Sequence, residues 1–260
     1  MKKITVLAAL LASALMSAQP APGSFEQSWK PGPDWLKNGV IYQVYPSSYK
    51  DSDGNGIGDI RGVISKLDYI ESLGVRAIWF NPLFESGWID GGYDIIDFYK
   101  VDPRFGTNND LVELVEKAHA KGIKVMLDLV AGHTSDKHPW FVQSSEDTNL
   151  QYSDYYIWSD RLPDKKAEAD LEKMLQDPNY MQNTIGKWML SKYPRNKYYC
   201  KNFYACQPSL NYGYANPDPD HPWEQGVNEP GPRAVRQELK NIIAFWYGKG
   251  VDGFRVDMAN

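Results

Sequence analysis

Arg255 and Asp257, in the segment GFRVD (253–257), are the two residues whose types and spacing best suit chemistry. Residues two apart on a β-strand point to the same side, so the guanidinium would lie beside the carboxylate. This contact is expected to lower the pKa of Asp257 and to keep its side chain ionised. An ionised, positioned carboxylate can act as a nucleophile, as in retaining glycoside hydrolysis. A buried structural ion pair is the alternative.

The segment DSDGNGIGD (51–59) offers a second set of chemical groups, in the form of oxygen ligands at alternating positions. Its candidate metal ligands are the Asp51, Asp53, Asn55 and Asp59 side chains and the Ile57 carbonyl. The spacing, with Gly56 at the bend, is that of the first part of a calcium-binding loop. The twelfth position is Gly62 rather than glutamate, which argues against a helix-loop-helix calcium site. An Asp/Gly turn with solvated carboxylates is the alternative.

Hydrophobic patterning predicts the elements that would position these groups. Short, nearly continuous apolar runs predict four strands: Val40–Tyr45, Val75–Pro82, Lys124–Val130 and Gly253–Val256. Apolar residues at helical spacing predict a helix after each of the first three strands. Their stripes are Val63, Leu67 and Ile70; Leu111, Leu114, Val115 and Ala118, after a capping box formed by Thr107 and Asp110; and Val235, Leu239, Ile242, Ile243 and Trp246.

This alternation predicts an α/β fold with a parallel sheet, closed as a barrel or open and doubly wound. Polar residues follow each predicted strand, at the strand ends where a parallel barrel forms its active site. Between His133 and Tyr214 the sequence is polar and aromatic without clear periodicity, which predicts a small inserted domain. Most of its aromatic residues are expected to form that domain's core.

The N-terminal segment MKKITVLAALLASALMSAQ has the layout of a secretory signal: lysines, a short apolar run and then small residues. We predict cleavage after Ala18, with Ala12–Ala14 as a second candidate site, and a periplasmic or secreted mature protein. The predicted division is a signal peptide 1–18, a linker 19–37, a first barrel part 38–132, an inserted domain 133–215 and a continued barrel 216–260. Cys200 and Cys206 could form a disulfide in an oxidising compartment or remain free thiols.

Composition excludes some classes of partner. The net charge is −5, the isoelectric point is about 5.4 and no basic stripe stands out, which argues against nucleic acid. No apolar run outside the N-terminal segment approaches membrane-spanning length, so no membrane association is expected after signal cleavage. The composition is typical of a soluble protein that acts on a neutral ligand.

Five segments, in order, resemble motifs of the α-amylase family of glycoside hydrolases (family thirteen). They are GVRAIWFNP (74–82), DGGYDIIDFYKVDPRFGT (90–107), DLVAGHTS (128–135), QPSLN (207–211) and GFRVDMAN (253–260). The resemblance covers roughly 40–260 and is nearest to the oligo-1,6-glucosidase and α-glucosidase-like branch. It implies a (β/α)8 TIM barrel, of which about the first four strands are present, with a small domain inserted after strand three.

The resemblance also implies roles for individual residues. Asp257 matches the family's nucleophile, Arg255 matches the arginine that keeps it ionised, and Asp128 matches a supporting residue bonded to Arg255. His133 matches a histidine that contacts the sugar beside the cleaved bond, and Tyr93 matches the aromatic platform under that sugar. Asp90 matches a carboxylate that binds the terminal sugar's hydroxyls. The loop 51–59 is similar to one that binds metal in oligosaccharide-trimming members, which favours calcium there, with magnesium as the alternative. Gly132 stands where the family usually has asparagine, a calcium ligand in many α-amylases, and Ser209 where the trimming branch has aspartate.

The resemblance implies a retaining enzyme for α-glucosidic bonds of starch-derived or related oligosaccharides or polysaccharides. A non-catalytic sugar-binding or structural relative and a glycosyl-transferring member such as a trehalose-synthase-like enzyme are the alternatives. In the family, the general acid is a glutamate on strand five, which would follow Asn260. We therefore expect these 260 residues to be a fragment that is inactive and unstable alone.

Overall fold

The computed structural model describes residues 32–258, and the chain divides into two units, 1–37 and 38–260. The described part of the first unit contains the short helix α1 (Asp34–Lys37), in which Lys37 pairs with Asp34. The predicted signal peptide lies outside the described residues. No helix in the described part is both long and apolar enough to span a membrane.

The second unit follows the predicted alternation of strands and helices, with additions. Its elements in chain order are β1 (Ile41–Val44), α2 (Ile60–Ile64), α3 (Leu67–Ser72), β2 (Ala77–Phe80), β3 (Phe84–Ser86), β4 (Ile95–Val101), α4 (Asn108–Ala120), β5 (Lys124–Val130), α5 (Pro139–Glu146), β6 (Trp158–Ser159), α6 (Lys165–Leu175), β7 (Trp188–Leu190), β8 (Tyr198–Cys200), α7 (Pro230–Tyr247) and β9 (Gly253–Asp257). Single 3₁₀ turns occur at Pro46–Ser48, Ser153–Tyr155 and Tyr180–Gln182.

The four predicted strands are β1, β2, β5 and β9, and they form one parallel sheet in that order. The bounds of β5 agree with the prediction, and the others differ by one or two residues at an end. The α/β fold class with a parallel sheet is therefore confirmed. Because all four strands run the same way, the loops after them gather at one edge of the sheet.

Helix α4 packs on this sheet as its sequence predicts. Thr107 and Asp110 form the capping box, and the Leu111, Leu114, Val115 and Ala118 stripe is buried. The single helix predicted around Val63 and Leu67 is wrong, because the chain breaks there into α2 and α3. At the break, the Ser65 hydroxyl donates to the Gly62 carbonyl, a local bond that competes with helical pairing.

An antiparallel ribbon of β3 and β4 was not predicted. It lies between β2 and α4, and its connecting loop, 87–94, carries Asp90 and Tyr93. Strand β3 has only three residues, too few to give a pattern of alternation. The ribbon thus carries both residues away from the end of β2, on the loop that joins β3 and β4.

The inserted region carries a three-stranded antiparallel sheet in the order β6, β8, β7, together with α5 and α6. Many of its aromatic residues form a buried cluster. Phe141 lies at the centre, stacked on Trp158 at 5.3 Å between ring centroids and in edge contact with Tyr156, Tyr193 and Tyr199. Cys200 and Cys206 are both free and buried, which is the second of the two alternatives.

Candidate active site

Arg255 lies between two carboxylates at the carboxyl edge of the sheet. Its Nη1 donates to Asp257 Oδ1 at 2.6 Å and to both oxygens of Asp128 at 3.1 and 3.2 Å. Asp128 and Arg255 are partners in the register of β5 and β9, so the strands themselves bring these groups together. The predicted contacts of Arg255 with Asp257 and Asp128 are both present.

The Asp128 side chain is fully enclosed, whereas that of Arg255 is about one-third exposed at 38%. Burial raises the pKa of Asp128 to about 6, although Arg255 opposes the shift. The Tyr93 hydroxyl also donates to Asp128, at 3.3 Å, and accepts from the Asn81 amide at 3.2 Å. Tyr93 is therefore tied to the same charged cluster by its hydroxyl.

His133 follows β5 and is buried against Tyr93. Its Nε2 lies 3.2 Å from the Tyr93 carbonyl and its Nδ1 lies 2.9 Å from the Asn202 amide nitrogen. Burial lowers the pKa of His133 to about 4, so the ring is neutral near pH 7. A neutral imidazole that is hydrogen-bonded at both nitrogens has one tautomer and one orientation.

Asp90 is placed by the loop 87–94, which folds around the buried carboxylate of Asp94. Asp94 accepts from the amides of Asp90 and Ile89 and from the Ser86 hydroxyl. The Asp90 side chain accepts from Gln207 Nε2 at 2.7 Å. Burial raises the pKa of Asp90, the Gln207 bond opposes the shift, and nearby Asp94 and Asp257 add to it.

The five sequence-predicted residues of the site therefore fall into one connected region. Asp128 is bonded to both Arg255 and Tyr93, Arg255 is bonded to Asp257, and the Tyr93 carbonyl is bonded to His133. Asp90 lies close enough to Asp257 for that charge to raise the Asp90 pKa. Three contributors were missed, namely Asn81, Asn202 and Gln207. Asn81 and Gln207 lie in the quoted motifs, which could have indicated them, whereas Asn202 lies in a stretch without periodicity.

The predicted metal loop, 51–59, is folded around its own carboxylates. Oxygens of Asp51, Asp53 and Asp59 lie within 4.8 Å of one another. Asp51 accepts from the amides of Gly56 and Gly54, and these bonds, led by Gly56, lower its pKa. The Ile57 amide donates to Asn55 Oδ1, so all five predicted ligand residues belong to one closed turn.

This donor set fits a hard divalent cation. Calcium takes six to eight oxygen ligands from carboxylates, amides and carbonyls, all of which the loop contains. Asp59 also caps α2 through the Gly62 amide and accepts from Ser52, so the loop is already fixed at its end. The side chains of Asp51, Asp53, Asn55 and Asp59 and the Ile57 carbonyl would hold the ion, which would supply charge compensation and rigidity to the loop after β1.

The chain matches the model of the alpha amylase catalytic domain over residues 43–260. The chain belongs to the α-amylase family. It is 40% identical to an oligo-1,6-glucosidase of Heyndrickxia coagulans, over 86% of this chain and 36% of that protein. It is 39% identical to a trehalose synthase/amylase of Mycobacterium tuberculosis, over 86% of this chain and 33% of the relative.

Solved structures give the same family and fold. The trehalose-6-phosphate hydrolase of Bacillus licheniformis superposes with a TM-score of 0.69 at 38% identity, covering 86% of this chain and 36% of the other. The isomaltulose synthase of Erwinia rhapontici NX5 superposes with a TM-score of 0.70 at 36% identity, covering 88% and 36%. These neighbours are (β/α)8-barrel enzymes, which a partial barrel of four strands fits. The chain spans about a third of the length of these relatives.

Proposed function

We propose that the protein containing this chain is a retaining glycoside hydrolase for α-glucosidic bonds of starch-derived or related oligosaccharides. The observation that carries the proposal is the placement of Asp257, held by Arg255 at the carboxyl end of β9, beside the buried Asp128. This is where barrel enzymes place their reacting groups. Its relatives include an oligo-1,6-glucosidase, which supports this substrate class.

Asp257 would attack the anomeric carbon of the sugar while the glycosidic bond breaks, forming a covalent glycosyl-enzyme. A protonated carboxyl group delivers its proton to the leaving oxygen, and the same group later deprotonates the water that releases the sugar. Arg255 would hold the Asp257 carboxylate in line through the bond from Nη1 to Oδ1. Tyr93 would lie under the reacting sugar, His133 would contact that sugar, and Asp90 would bind hydroxyls of the terminal unit.

The general acid must be a second carboxyl group roughly 5–5.5 Å from the nucleophile. Near Asp257, Asp128 is bonded to Arg255 and Asp90 to Gln207. Both carboxylates thus hold a neighbouring side chain, Arg255 or Gln207, in place. The family resemblance implies a glutamate on a fifth strand for this role, and we propose that the general acid is this residue, outside the 260 residues of this chain.

The test is kinetic and uses the full gene product with a chromogenic α-glucoside. Asp257→Asn should lower kcat by at least roughly 10³-fold, the scale of losing a catalytic nucleophile. Glu116→Gln, on the exposed face of α4, is the matched control and should retain parental activity. Unchanged turnover in Asp257→Asn, or product of inverted configuration, would overturn the proposal.

A glycosyl-transferring enzyme is the second candidate, favoured by the relatives named as trehalose synthase/amylase and isomaltulose synthase. Transfer uses the same glycosyl-enzyme and differs only in the acceptor that takes the sugar from Asp257. Product analysis from a disaccharide substrate separates the two, because hydrolysis releases free monosaccharides whereas transfer yields a rearranged disaccharide.

We also propose calcium in the loop 51–59, with magnesium as the alternative ion, and export of the protein to the periplasm or medium. The oxygen-rich closed turn supports the first proposal and the composition of residues 1–19 supports the second. Both are tested below by measurements that do not depend on catalytic activity.

A further inference from the structure

Gly132 and Asn202 occupy one small space beside His133. A Cβ atom added to Gly132 would overlap the Asn202 amide nitrogen, well inside normal contact distance. The Asn202 side chain, from the inserted region, therefore fills the space that a side chain at 132 would need. Position 132 is where the family's strand-three motif usually has asparagine, so a carboxamide is present here but comes from elsewhere in the chain.

The hydrogen bonds of His133 determine which way this carboxamide must point. The Tyr93 carbonyl can only accept, so the proton of the neutral ring lies on Nε2. Nδ1 then carries a lone pair, and the group 2.9 Å away must donate, which the Asn202 amide nitrogen does. The charged groups that face this ring are Asp94 and Asp257.

Asn202 also connects parts of the site on either side of the ring. Its amide nitrogen lies 3.9 Å from the Met258 sulfur, one residue beyond Asp257. Its backbone amide donates to the Gln207 carbonyl at 2.9 Å, and the Gln207 side chain binds Asp90. The short loop 202–207 thus supports both His133 and Asp90.

We propose that Asn202 is a positioning residue that holds His133 in the Nε2–H tautomer and in a fixed orientation toward the reacting sugar, through a carboxamide that replaces the side chain absent at Gly132. The tautomer and orientation are properties of the folded protein. Only the consequence for turnover rests on the proposed function.

Three substitutions test the arrangement in the full gene product. Asn202→Leu keeps the approximate shape and removes the donor, whereas Asn202→Asp keeps the shape and presents an acceptor to Nδ1. Gly132→Ala leaves Asn202 intact, but its methyl group displaces the carboxamide from the ring. Asn241→Leu, on the exposed face of α7, is the matched control.

The first readout is the ¹⁵N NMR spectrum of the imidazole, assigned by loss of its signals in His133→Gln. The parent should show a neutral ring protonated at Nε2. Asn202→Asp should move the proton to Nδ1 or raise the His133 pKa, and Asn202→Leu should shift the Nδ1 signal, because that nitrogen loses its hydrogen-bond donor. A parental ring protonated at Nδ1, or the parental spectrum retained in all three variants, would overturn the proposal even if the protein has no glycosidase activity.

The second readout is kcat/KM on an α-glucoside, which tests the link to catalysis. Asn202→Leu and Gly132→Ala should each lower it by roughly 3- to 10-fold, since each removes one neutral hydrogen bond. The kcat/KM of the double variant should be no lower than that of the less active single variant, because both substitutions remove the same hydrogen bond. Fully additive losses would contradict the proposal. If Asn202→Leu does not fold, Gly132→Ala alone tests the bond by both readouts.

Discussion

Asp128 and Arg255 are register partners on neighbouring parallel strands, and one guanidinium nitrogen of Arg255 binds both oxygens of Asp128 and one of Asp257. The fully enclosed Asp128 carboxylate therefore acts as a fixed counter-charge that sets the direction of the arginine. Asp257, at the end of the strand, is therefore bound by a guanidinium whose orientation is already fixed by Asp128.

This relationship predicts a pH-dependent effect of Asp128→Asn. The folded-state pKa of Asp128, about 6, exceeds its ordinary value of 3.8, so the folded protein binds this proton more tightly than the unfolded chain. That stabilisation is complete below the unfolded pKa and is lost as pH rises through 6. The difference in free energy of unfolding, variant minus parent, should therefore increase by roughly 1–3 kcal/mol between about pH 4 and about pH 7.

Denaturant unfolding of both proteins at several pH values measures this difference. At the same time kcat/KM should fall by roughly ten-fold or more, because Arg255 loses one of its two charged partners. A variant that becomes less stable relative to the parent as pH rises would show that the shift has the opposite sign. Glu116→Gln should follow the parent at every pH.

Gln207→Leu should weaken binding of the terminal sugar. The Gln207 amide donates to Asp90 and favours its ionised form, so its loss should raise the pKa of Asp90 further. We expect KM to rise by roughly 3- to 10-fold with a smaller change in kcat, and the acid limb of the kcat/KM profile to move to higher pH. Gln237→Leu, exposed on α7, is the control. A lower kcat at unchanged KM would place Asp90 away from the binding step.

The parallel sheet and strand β9 could be predicted because their signals are local. Each strand is a short apolar run between polar stretches, and Arg255 and Asp257 share a side through the alternation of a strand. The capping box of α4 likewise depends only on Thr107 and a residue three positions later. Local patterns of this kind are independent of the rest of the fold.

The parts that could not be predicted depend on distant partners. Strand β3 is a strand only because β4 pairs with it. Asn202 reaches His133 across 69 positions of sequence into space that Gly132 leaves open. No spacing rule relates these residues, so their contact emerges only from the fold.

Export predicts a defined mature N-terminus. Protein recovered from the periplasm or the medium should begin near Gln19, because the small residues before it suit signal cleavage after Ala18. N-terminal sequencing of secreted material checks this directly. An intact Met1 on protein recovered from the cytoplasm would contradict the signal assignment.

Calcium should stabilise the protein through the loop 51–59, and removal of one ligand should abolish that effect. An ion that binds only the folded state adds stability by mass action, about 2.7 kcal/mol at a concentration 100 times Kd. Thermal unfolding of the metal-free parent should therefore shift upward on addition of calcium. Asp53→Asn should remove most of the shift, since Asp53 is exposed in the loop and its carboxylate oxygens accept from Asn55, a residue of the same loop. Glu116→Gln, outside the loop, should keep the full shift.

An equal calcium shift in Asp53→Asn and in the parent would place the ion elsewhere. A parent that does not respond to calcium but responds to magnesium would identify the alternative ion.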